Sequence, residues 1–195
     1  PQIRNIGTIG GNVCNGVTSA DSAAVLFTLN AVLELTGEEG TRMVPVTEFY
    51  TGPGRTVRKH AEILTAIKIT RDNYEGFYGH YTKYGKRNAM EIATLGCAVH
   101  VKLSEDKKQM EDFRLGFGVA APTPIRCYQT EKRVKGMDIT DPELYERIRE
   151  GAVSEVTPRS SWRASREFRL QLVRELSVRT AKEAIEKAVG GEADA

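Results

Sequence analysis

The chain has 195 residues, of which 40% are hydrophobic and 28% are charged, so it can bury a real core as one large or two small domains. Its 28 basic and 26 acidic residues are distributed throughout and leave a net charge of +2, which gives no case for a nucleic-acid groove. No apolar run is long enough to span a bilayer, so we expect no membrane segment.

The opening stretch is rich in glycine, with Gly7, Gly10 and Gly11 close together. Without Cβ atoms, backbone N–H groups can turn toward one point and another molecule can approach closely, as in an anion-binding loop. The residue types also fit an ordinary turn, and the spacing is that of neither a Rossmann motif nor a P-loop. Short polar side chains that could donate to phosphate, or cap a helix beginning near Asp21, are Thr8, Asn12, Asn15, Thr18 and Ser19.

The next segments predict a first α+β unit. Residues 22–30 read as a short helix, and residues 31–35 and 42–46 as two strands joined by a turn over 36–40. One helical turn follows over 47–50. The apolar residues Ile63, Ile67 and Ile69 predict a strand with one well-buried face.

The second half predicts an antiparallel sheet with helices. Residues 77–84 are strand-like, and alternation of apolar and small or polar residues over 95–103 and 113–119 predicts a hairpin with one wet and one covered face. Helices are expected over 125–135, from Asp141 onward, and over 165–189. The predicted fold class is therefore α+β, with a boundary near Asn88 and domains 1–88 and 89–195.

The cysteines and histidines indicate no metal site. Cys14, Cys97 and Cys127 are widely spaced and form no zinc or iron–sulfur ligand set, and the three histidines do not cluster with them in sequence. Reduced thiols in a cytoplasmic protein are the expected state. If iron–sulfur or molybdenum chemistry is involved, it belongs to partner chains.

Trp162 stands between Arg159 and Arg163 and allows two interpretations. It could be part of an aromatic and basic surface that faces a partner. It could equally be a tryptophan at a helix start that seals the edge of the domain. The basic stretch Lys83–Arg87 is typical of a solvated loop.

A series of motifs runs along nearly the whole chain: Gln2–Asn15 (QIRNIGTIGGNVCN), Ser19–Ser22 (SADS), Thr51–Gly54 (TGPG), Ala93–Cys97 (ATLGC), Gly116–Arg126 (GFGVAAPTPIR) and Pro158–Ser165 (PRSSWRAS). In this order they resemble the FAD-binding subunit of xanthine dehydrogenase and its molybdenum hydroxylase relatives. The first motif resembles that family's second flavin-contacting loop. The resemblance implies the second FAD-binding subdomain of the two-loop (PCMH-type) flavoprotein fold, followed by an antiparallel sheet covered on one face by helices.

The resemblance also implies roles for particular residues. Asp21 would accept hydrogen bonds from flavin hydroxyls, Leu64 would pack on the isoalloxazine, and Lys83 would lie near the ring, where a cation favours the anionic reduced form. No general acid, general base or metal ligand is expected in this chain. The residues expected on the pyrophosphate side are Thr8, Gly10, Gly11, Asn12 and Asn15.

In the family that the chain resembles, a molybdenum centre oxidises the substrate, and electrons pass through 2Fe-2S clusters to FAD and then to NAD. Molybdopterin and the clusters are expected on partner subunits only. The family's first flavin-gripping loop lies in an amino-terminal subdomain without a counterpart in these residues. We therefore expect a carboxy-terminal piece of the subunit with an incomplete FAD site.

Two other hypotheses remain open from the sequence. One is a flavin-dependent oxidase or reductase of the wider two-loop fold that acts alone, although the chain supplies no substrate base for it. The other is a non-catalytic assembly or adaptor fragment that does not bind flavin by itself. The sequence does not select the substrate, since that choice belongs to another chain.

Overall fold

A computed structural model describes residues 5–190, which form the α+β architecture expected from the sequence. Residues 1–4, with which the opening motif begins, and residues 191–195 lie outside the described range. The first unit comprises α1 (Ile9–Cys14), α2 (Asp21–Thr28), β1 (Val32–Gly37), β2 (Gly40–Pro45), α3 (Val46–Phe49), β3 (Tyr50–Gly52), β4 (Arg55–Thr56) and β5 (Ile63–Lys68).

The predicted hairpin of the first unit is confirmed. β1 and β2 pair antiparallel, with Gly37 opposite Gly40 at the turn. The one-turn helix α3 follows at once and carries Phe49, which is fully buried. These elements and α2 enclose a core whose largest fully buried side chains are Phe49, Leu33, Leu35, Val13 and Val46.

β5 pairs with the other side of β1, so the first sheet has the order β2-β1-β5 and β5 is an edge strand. The prediction that Ile63 belongs to a well-buried face was wrong, since Ile63 is 69% exposed. Glu34 lies opposite Ala66 whereas Leu35 lies opposite Leu64, which leaves Thr65 as an extra residue. Such a bulge interrupts the simple alternation of faces, so Leu64 packs on the core instead.

The second unit is a four-stranded antiparallel sheet of order β6-β7-β8-β9 with helices on it. The long helix α6 packs on β6 and β7, and α5 packs on α6. The predicted helix over 125–135 begins only at Tyr128, because Ile125 and Arg126 pair with β8 and form β9. The elements are β6 (Tyr78–Tyr84), β7 (Leu95–Leu103), β8 (Met110–Gly118), β9 (Ile125–Arg126), α4 (Tyr128–Val134), α5 (Leu144–Glu155) and α6 (Arg166–Gly190).

The other face of this sheet is covered too, contrary to the predicted wet face. Helix α2 of the first unit packs across β7 and β8. A Cβ atom on Gly116 would lie 3.0 Å from the Ala24 carbonyl oxygen and 3.1 Å from Thr28 Cγ2, and one on Gly118 would lie 3.0 Å from the Thr18 carbonyl oxygen. The small residues of this face therefore serve the close approach of α2 and do not mark a solvated surface.

Two arginines of the second sheet bind the carboxyl end of α2. Arg114 Nη1 donates to the Thr28 carbonyl at 3.2 Å, and Arg126 Nη1 donates to the Phe27 carbonyl at 3.3 Å. Arg126 also forms a bidentate pair with Glu131, at 2.7 and 3.0 Å. Burial raises the pKa of Glu131 although Arg126 opposes that shift. The last carbonyls of a helix lack the usual partner four residues on, so Arg114 supplies a donor to the Thr28 carbonyl, and Arg126 adds a second donor to the Phe27 carbonyl, which also accepts from the Asn30 N–H.

His100 lies at the same junction. Its Nδ1 is 2.9 Å from Thr28 Oγ1, and its ring occupies the space above Gly79, the residue opposite it on β6. Burial, with a smaller contribution from Arg114 and Arg126, lowers the pKa of His100 to about 4. The imidazole is therefore neutral in the folded protein at pH 7.

The predicted boundary at residue 88 falls after β6, yet β6 is hydrogen-bonded along its length to β7. β5, by contrast, belongs to the first sheet. We propose that the second unit begins between Lys68 and Tyr78, because the hydrogen-bonding partner of the chain changes there.

Gly116→Ala is expected to lower the free energy of unfolding by about 2 kcal/mol, because the added methyl group must displace backbone of α2. Urea unfolding followed by circular dichroism measures it. Gly52→Ala is the matched control, since a Cβ there would lie 4.0 Å from the nearest atom. Equal losses in the two variants would contradict close packing of α2 on β8.

His100→Gln is expected to remove part of the acid sensitivity of the fold. The unfolded chain takes up a proton on histidine near pH 6.5, whereas folded His100 does so only near pH 4, so its stabilising contribution is complete above pH 6.5 and is lost as the pH falls toward 4. Between pH 7 and 4.5 the wild type should lose about 2 kcal/mol more than the variant. The measurement is urea unfolding at both pH values.

The exposed His60 provides the control for that experiment. His60→Gln removes an exposed imidazole and is the comparison variant for His100→Gln. If His100→Gln and the wild type lose the same free energy on acidification, His100 is not held neutral by its surroundings.

Candidate functional site

The glycine-rich stretch is helical in the structure and is not the open loop that its composition suggested. Residues Ile9–Cys14 form α1, and Thr8 is its N-cap, with Oγ1 accepting from the Gly11 N–H at 2.9 Å. Neither Gly10 nor Gly11 has a positive φ, so neither is required by backbone conformation. A Cβ on Gly11 would lie 3.0 Å from Thr8 Oγ1. Glycine leaves the backbone of the first turn of α1 uncovered at positions 10 and 11, next to the exposed Ile9.

Asn12 joins α1 to the beginning of α2. Its Oδ1 accepts from the Ser22 hydroxyl at 2.6 Å and from the Ser22 N–H at 3.3 Å. One of the free N–H groups in the first turn of α2 is thereby satisfied. Because Oδ1 is engaged, the Nδ2 of Asn12 is the part of this side chain that remains a donor for another molecule.

Asp21 and Lys83, which the resemblance placed on one cofactor, lie in direct contact. Lys83 Nζ is 2.6 Å from Asp21 Oδ2, and the Tyr81 hydroxyl donates to Asp21 Oδ1 at 3.3 Å. The Asp21 side chain is 46% exposed and that of Lys83 is 32% exposed, so both remain accessible. Burial, reinforced by Asp21, holds the pKa of Tyr81 far above its usual range, which keeps the phenol protonated.

Tyr81 and Gly96 are parts of this arrangement that sequence reasoning missed. A Cβ on Gly96 would lie 2.7 Å from the Tyr81 hydroxyl oxygen, so glycine makes room for the phenol to reach Asp21. The spacing of Tyr81 and Lys83 on one strand could have suggested that both face the same way. Gly96 carries no such signal, since its contact depends on the pairing of β6 with β7.

Leu64 lies beside α1. A Cβ on Gly10 would be 3.8 Å from Leu64 Cδ2, an ordinary contact distance, so the half-buried leucine borders the first turn of α1. The structure therefore brings Thr8, Gly10, Gly11 and Leu64 together at α1. Asn12 connects this group through Ser22 to the neighbouring Asp21.

Asn15 stands apart from these contacts. It is exposed at the carboxyl end of α1, where its backbone N–H donates to the carbonyl of Gly11 at 3.0 Å. The geometry assigns its side chain no contact with the other predicted site residues. Its place on the pyrophosphate side stays a prediction.

The cysteines and histidines are dispersed. Among residues 5–190, no three His, Cys, Asp or Glu side chains are placed to hold a metal ion. Cys14, Cys97 and Cys127 are free thiols, and burial raises the pKa of Cys97 to about 12. In the same range, no helix has the length and apolar content needed to cross a bilayer.

Two family models match the chain. Residues 1–71 match the FAD binding domain in molybdopterin dehydrogenase, and residues 80–184 match the CO dehydrogenase flavoprotein C-terminal domain. The first match ends three residues after β5 and the second begins at His80, within β6, so the hydrogen-bonding partner of the chain changes close to the interval between them.

Individual relatives agree with these families. The chain is 45% identical over 190 residues to the xanthine dehydrogenase FAD-binding subunit of Escherichia coli O157:H7, covering 97% of this chain and 64% of that protein. It is 32% identical over 183 residues to the glyceraldehyde dehydrogenase medium chain of Sulfolobus acidocaldarius, covering 93% and 63%. The chain thus spans slightly less than two thirds of the length of these relatives.

Among solved structures, the fold is similar to a chain of the reconstituted CO dehydrogenase from Oligotropha carboxidovorans. The TM-score is 0.86 at 29% sequence identity, covering 95% of this chain and 63% of that chain. The expected PCMH-type flavoprotein fold is therefore confirmed.

Proposed function

This chain belongs to the family of FAD-binding subunits of the molybdopterin dehydrogenases, and from that premise we propose that it carries part of the FAD site of a xanthine dehydrogenase-like molybdenum hydroxylase. The observation that supports the proposal most strongly is the meeting of Asp21 and Lys83, which come from different units, beside the first turn of α1. The two residues are 62 positions apart and are joined only by the fold.

The residues present fit the cofactor. The first turn of α1 offers a surface without side chains at Gly10 and Gly11, suited to close approach of a pyrophosphate, and Asn12 Nδ2 offers a donor. Asp21 is a partly exposed carboxylate that already accepts a hydrogen bond from the Tyr81 hydroxyl, so it can accept from hydroxyl groups. Leu64 supplies an apolar contact beside the glycines, and Lys83 supplies a cation.

When bound, FAD supplies the interconversion of one-electron and two-electron transfer. The task of these residues is to hold and orient it. Lys83 is already paired with a carboxylate, so its charge is partly compensated and is shared between Asp21 and any anion beside it. Tyr81 donates to the same carboxylate and fixes its orientation.

In this proposal the substrate is oxidised on a molybdopterin-binding subunit, and an iron–sulfur subunit delivers the electrons to FAD. NAD is the proposed final acceptor, and the cytoplasm is the proposed compartment, in agreement with three free thiols. A purine is the substrate class indicated by the relative of highest identity among those named above, a xanthine dehydrogenase subunit.

A second proposal is a non-catalytic assembly or adaptor fragment that does not bind flavin by itself. The observation that favours it is the exposure of the site: Thr8, Gly11 and Asn12 all lie at the surface of the described residues. FAD bound by these groups alone would be held on one side only. The two proposals differ in whether the full-length protein retains flavin.

Gly11→Leu is expected to lower the flavin content of the full-length protein about tenfold or more. The new side chain collides with Thr8 Oγ1 and covers the surface that the pyrophosphate would approach. The visible absorption spectrum, recorded after addition of FAD and removal of the excess, measures the retained flavin.

Gly190→Leu is the control, since a Cβ at Gly190 has no neighbour within 4 Å. It should retain the wild-type flavin bands. A folded Gly11→Leu protein with full flavin content would contradict the proposed pyrophosphate site. The absence of flavin bands in the wild type would favour the adaptor proposal.

Asp21→Asn is expected to weaken FAD binding about tenfold while the free energy of unfolding changes by less than about 1 kcal/mol. The Asp21–Lys83 pair is partly exposed, so its contribution to stability is small, whereas the amide is a weaker acceptor for flavin hydroxyls than the carboxylate. Flavin fluorescence titration and urea unfolding measure the two quantities. Asp72→Asn, at an exposed position, should alter neither. Unchanged FAD affinity in Asp21→Asn would contradict the proposed role of Asp21 in binding FAD.

A further inference from the structure

The Asp21 carboxylate accepts from a different residue on each of its oxygens. Lys83 Nζ donates to Oδ2 at 2.6 Å, and the Tyr81 hydroxyl donates to Oδ1 at 3.3 Å. The two donors are two positions apart on β6, so both side chains lie on the face of that strand that meets α2. The carboxylate is therefore shared between a cation and an uncharged phenol.

The Tyr81 hydroxyl acts on Asp21 as the donor of a hydrogen bond. Tyr81 is half-buried, and burial, reinforced by the negative charge of Asp21, holds its pKa far above the usual range. A phenol that stays protonated has one hydrogen to donate, and an ionised carboxylate is an acceptor only. The positive end of the O–H dipole thus offsets part of the carboxylate charge without adding a charge of its own.

Gly96 gives the phenol its place. It is buried on β7 directly opposite Lys83. The three atoms nearest to a Cβ at this position would all belong to Tyr81, with the hydroxyl oxygen at 2.7 Å, Cε2 at 3.3 Å and Cζ at 3.4 Å. The φ of Gly96 is not positive, so its backbone conformation does not require glycine. What glycine provides here is room for the phenol beside Asp21.

A cavity of about 280 Å³ borders the phenol on its other side, between α2 and the second sheet. Gly79, which lines it, precedes Tyr81 by two residues on the same face of β6, whereas Gly96 stands opposite Lys83, two residues after Tyr81. A methyl group at Gly96 would therefore push the phenol toward this cavity and away from Asp21. The residues that line the cavity are Val25, Gly79, His80, Tyr81 and His100.

The charges of the proposed site bear on how readily a bound flavin is reduced. Two electrons and one proton added to the flavin ring leave it with one negative charge, which a nearby cation favours and a nearby carboxylate disfavours. Asp21 lies in contact with Lys83 and compensates its charge. The hydrogen bond from Tyr81 weakens that compensation, so the site is more positive than Asp21 and Lys83 alone would make it.

We propose that Tyr81, in the place that Gly96 leaves for it, is a positioning residue that raises the reduction potential of the bound flavin by donating to Asp21. This inference rests on the proposed function, since it requires FAD beside Asp21 and Lys83. Tyr81 acts through the carboxylate. With Oδ1 held by the phenol, Oδ2 stays turned toward Lys83.

The test uses the full-length protein loaded with FAD. Tyr81→Phe removes the hydroxyl and keeps the ring. Tyr78→Phe is the matched control, because Tyr78 lies on the same strand but packs against the helical core of the second unit. The main readout is the midpoint potential of the flavin, obtained by reduction with dithionite beside a dye of known potential. Flavin content and the thermal unfolding midpoint are recorded for each variant.

Tyr81→Phe should weaken the binding of reduced flavin about fivefold relative to oxidised flavin, which lowers the midpoint potential by about 20 mV for a two-electron couple. Asp21→Asn should shift the potential in the opposite direction, because it removes the negative charge. Tyr78→Phe should keep the wild-type potential. A role of Tyr81 in packing alone would change the unfolding midpoint and leave the potential where it is.

Gly96→Ala is a second variant that reaches the same hydrogen bond from the other strand. Its methyl group should displace the Tyr81 hydroxyl from Asp21 and lower the potential by a similar amount. The double variant Gly96→Ala/Tyr81→Phe should show no larger shift than Tyr81→Phe alone, because both changes remove one interaction.

Three outcomes would overturn the role of Tyr81 while leaving the proposed function intact: a wild-type potential in Tyr81→Phe, an equal shift in Tyr78→Phe, or additive shifts in the double variant. In each of them the wild-type protein retains its flavin. Absence of flavin bands from the wild type would overturn the proposed function, and the role of Tyr81 with it, so the two failures are distinguished by the wild-type spectrum.

Discussion

Helix α2 is enclosed between the two units and is bound at both ends by residues of the second one. At its amino end, Asp21 accepts from Lys83 and Tyr81 of β6, and at its carboxyl end Arg114 and Arg126 donate to its last carbonyls. Cations at a helix C-terminus are favourable, and the acidic residue in the first turn is favourable as well. The position of the proposed cofactor site therefore follows from how this one helix sits on the second sheet.

The packing of α2 on the second sheet buries charged side chains, and a buried charge that loses its partner destabilises the fold. Arg126 and Glu131 are almost wholly buried, and removing one partner of such a pair leaves an uncompensated charge, which destabilises by roughly 3–5 kcal/mol. The pair also receives the Leu115 N–H, so the carboxylate is well supplied with donors. Arg126 also donates to the Phe27 carbonyl at 3.3 Å, so the pair is tied to the position of α2.

The sequence predicted the positions of the helices and strands better than it predicted what packs against them. The alternation of large apolar residues with small or polar ones over 95–103 located β7 closely, because the large side chains pack in the helical core while the small ones face α2. The opposite face was misjudged, because glycine and alanine are equally compatible with water and with a close helix. The bulge at Thr65 depends on the pairing of β5 with β1, which no local pattern records, whereas the helical form of Gly10 and Gly11 begins at the Thr8 cap, a local signal that the glycines obscured. The resemblance assigned Asp21 and Lys83 to the cofactor site one by one, and only the structure shows that the two side chains are in direct contact.

Strand β6 contributes side chains to two separate surfaces, because its successive residues face opposite sides of the second sheet. Tyr81 and Lys83 turn toward α2, whereas Thr82 and Tyr84 turn toward α6, where they contact Thr180 and Phe168. A substitution on the α6 side leaves the side chains around Asp21 in place, since the pleat separates the two sets. A shift of the whole strand moves both sets together. Any partner that pressed on the Tyr84 side would thus act on Lys83 only through the position of β6, which seven residue pairs with β7 hold in register.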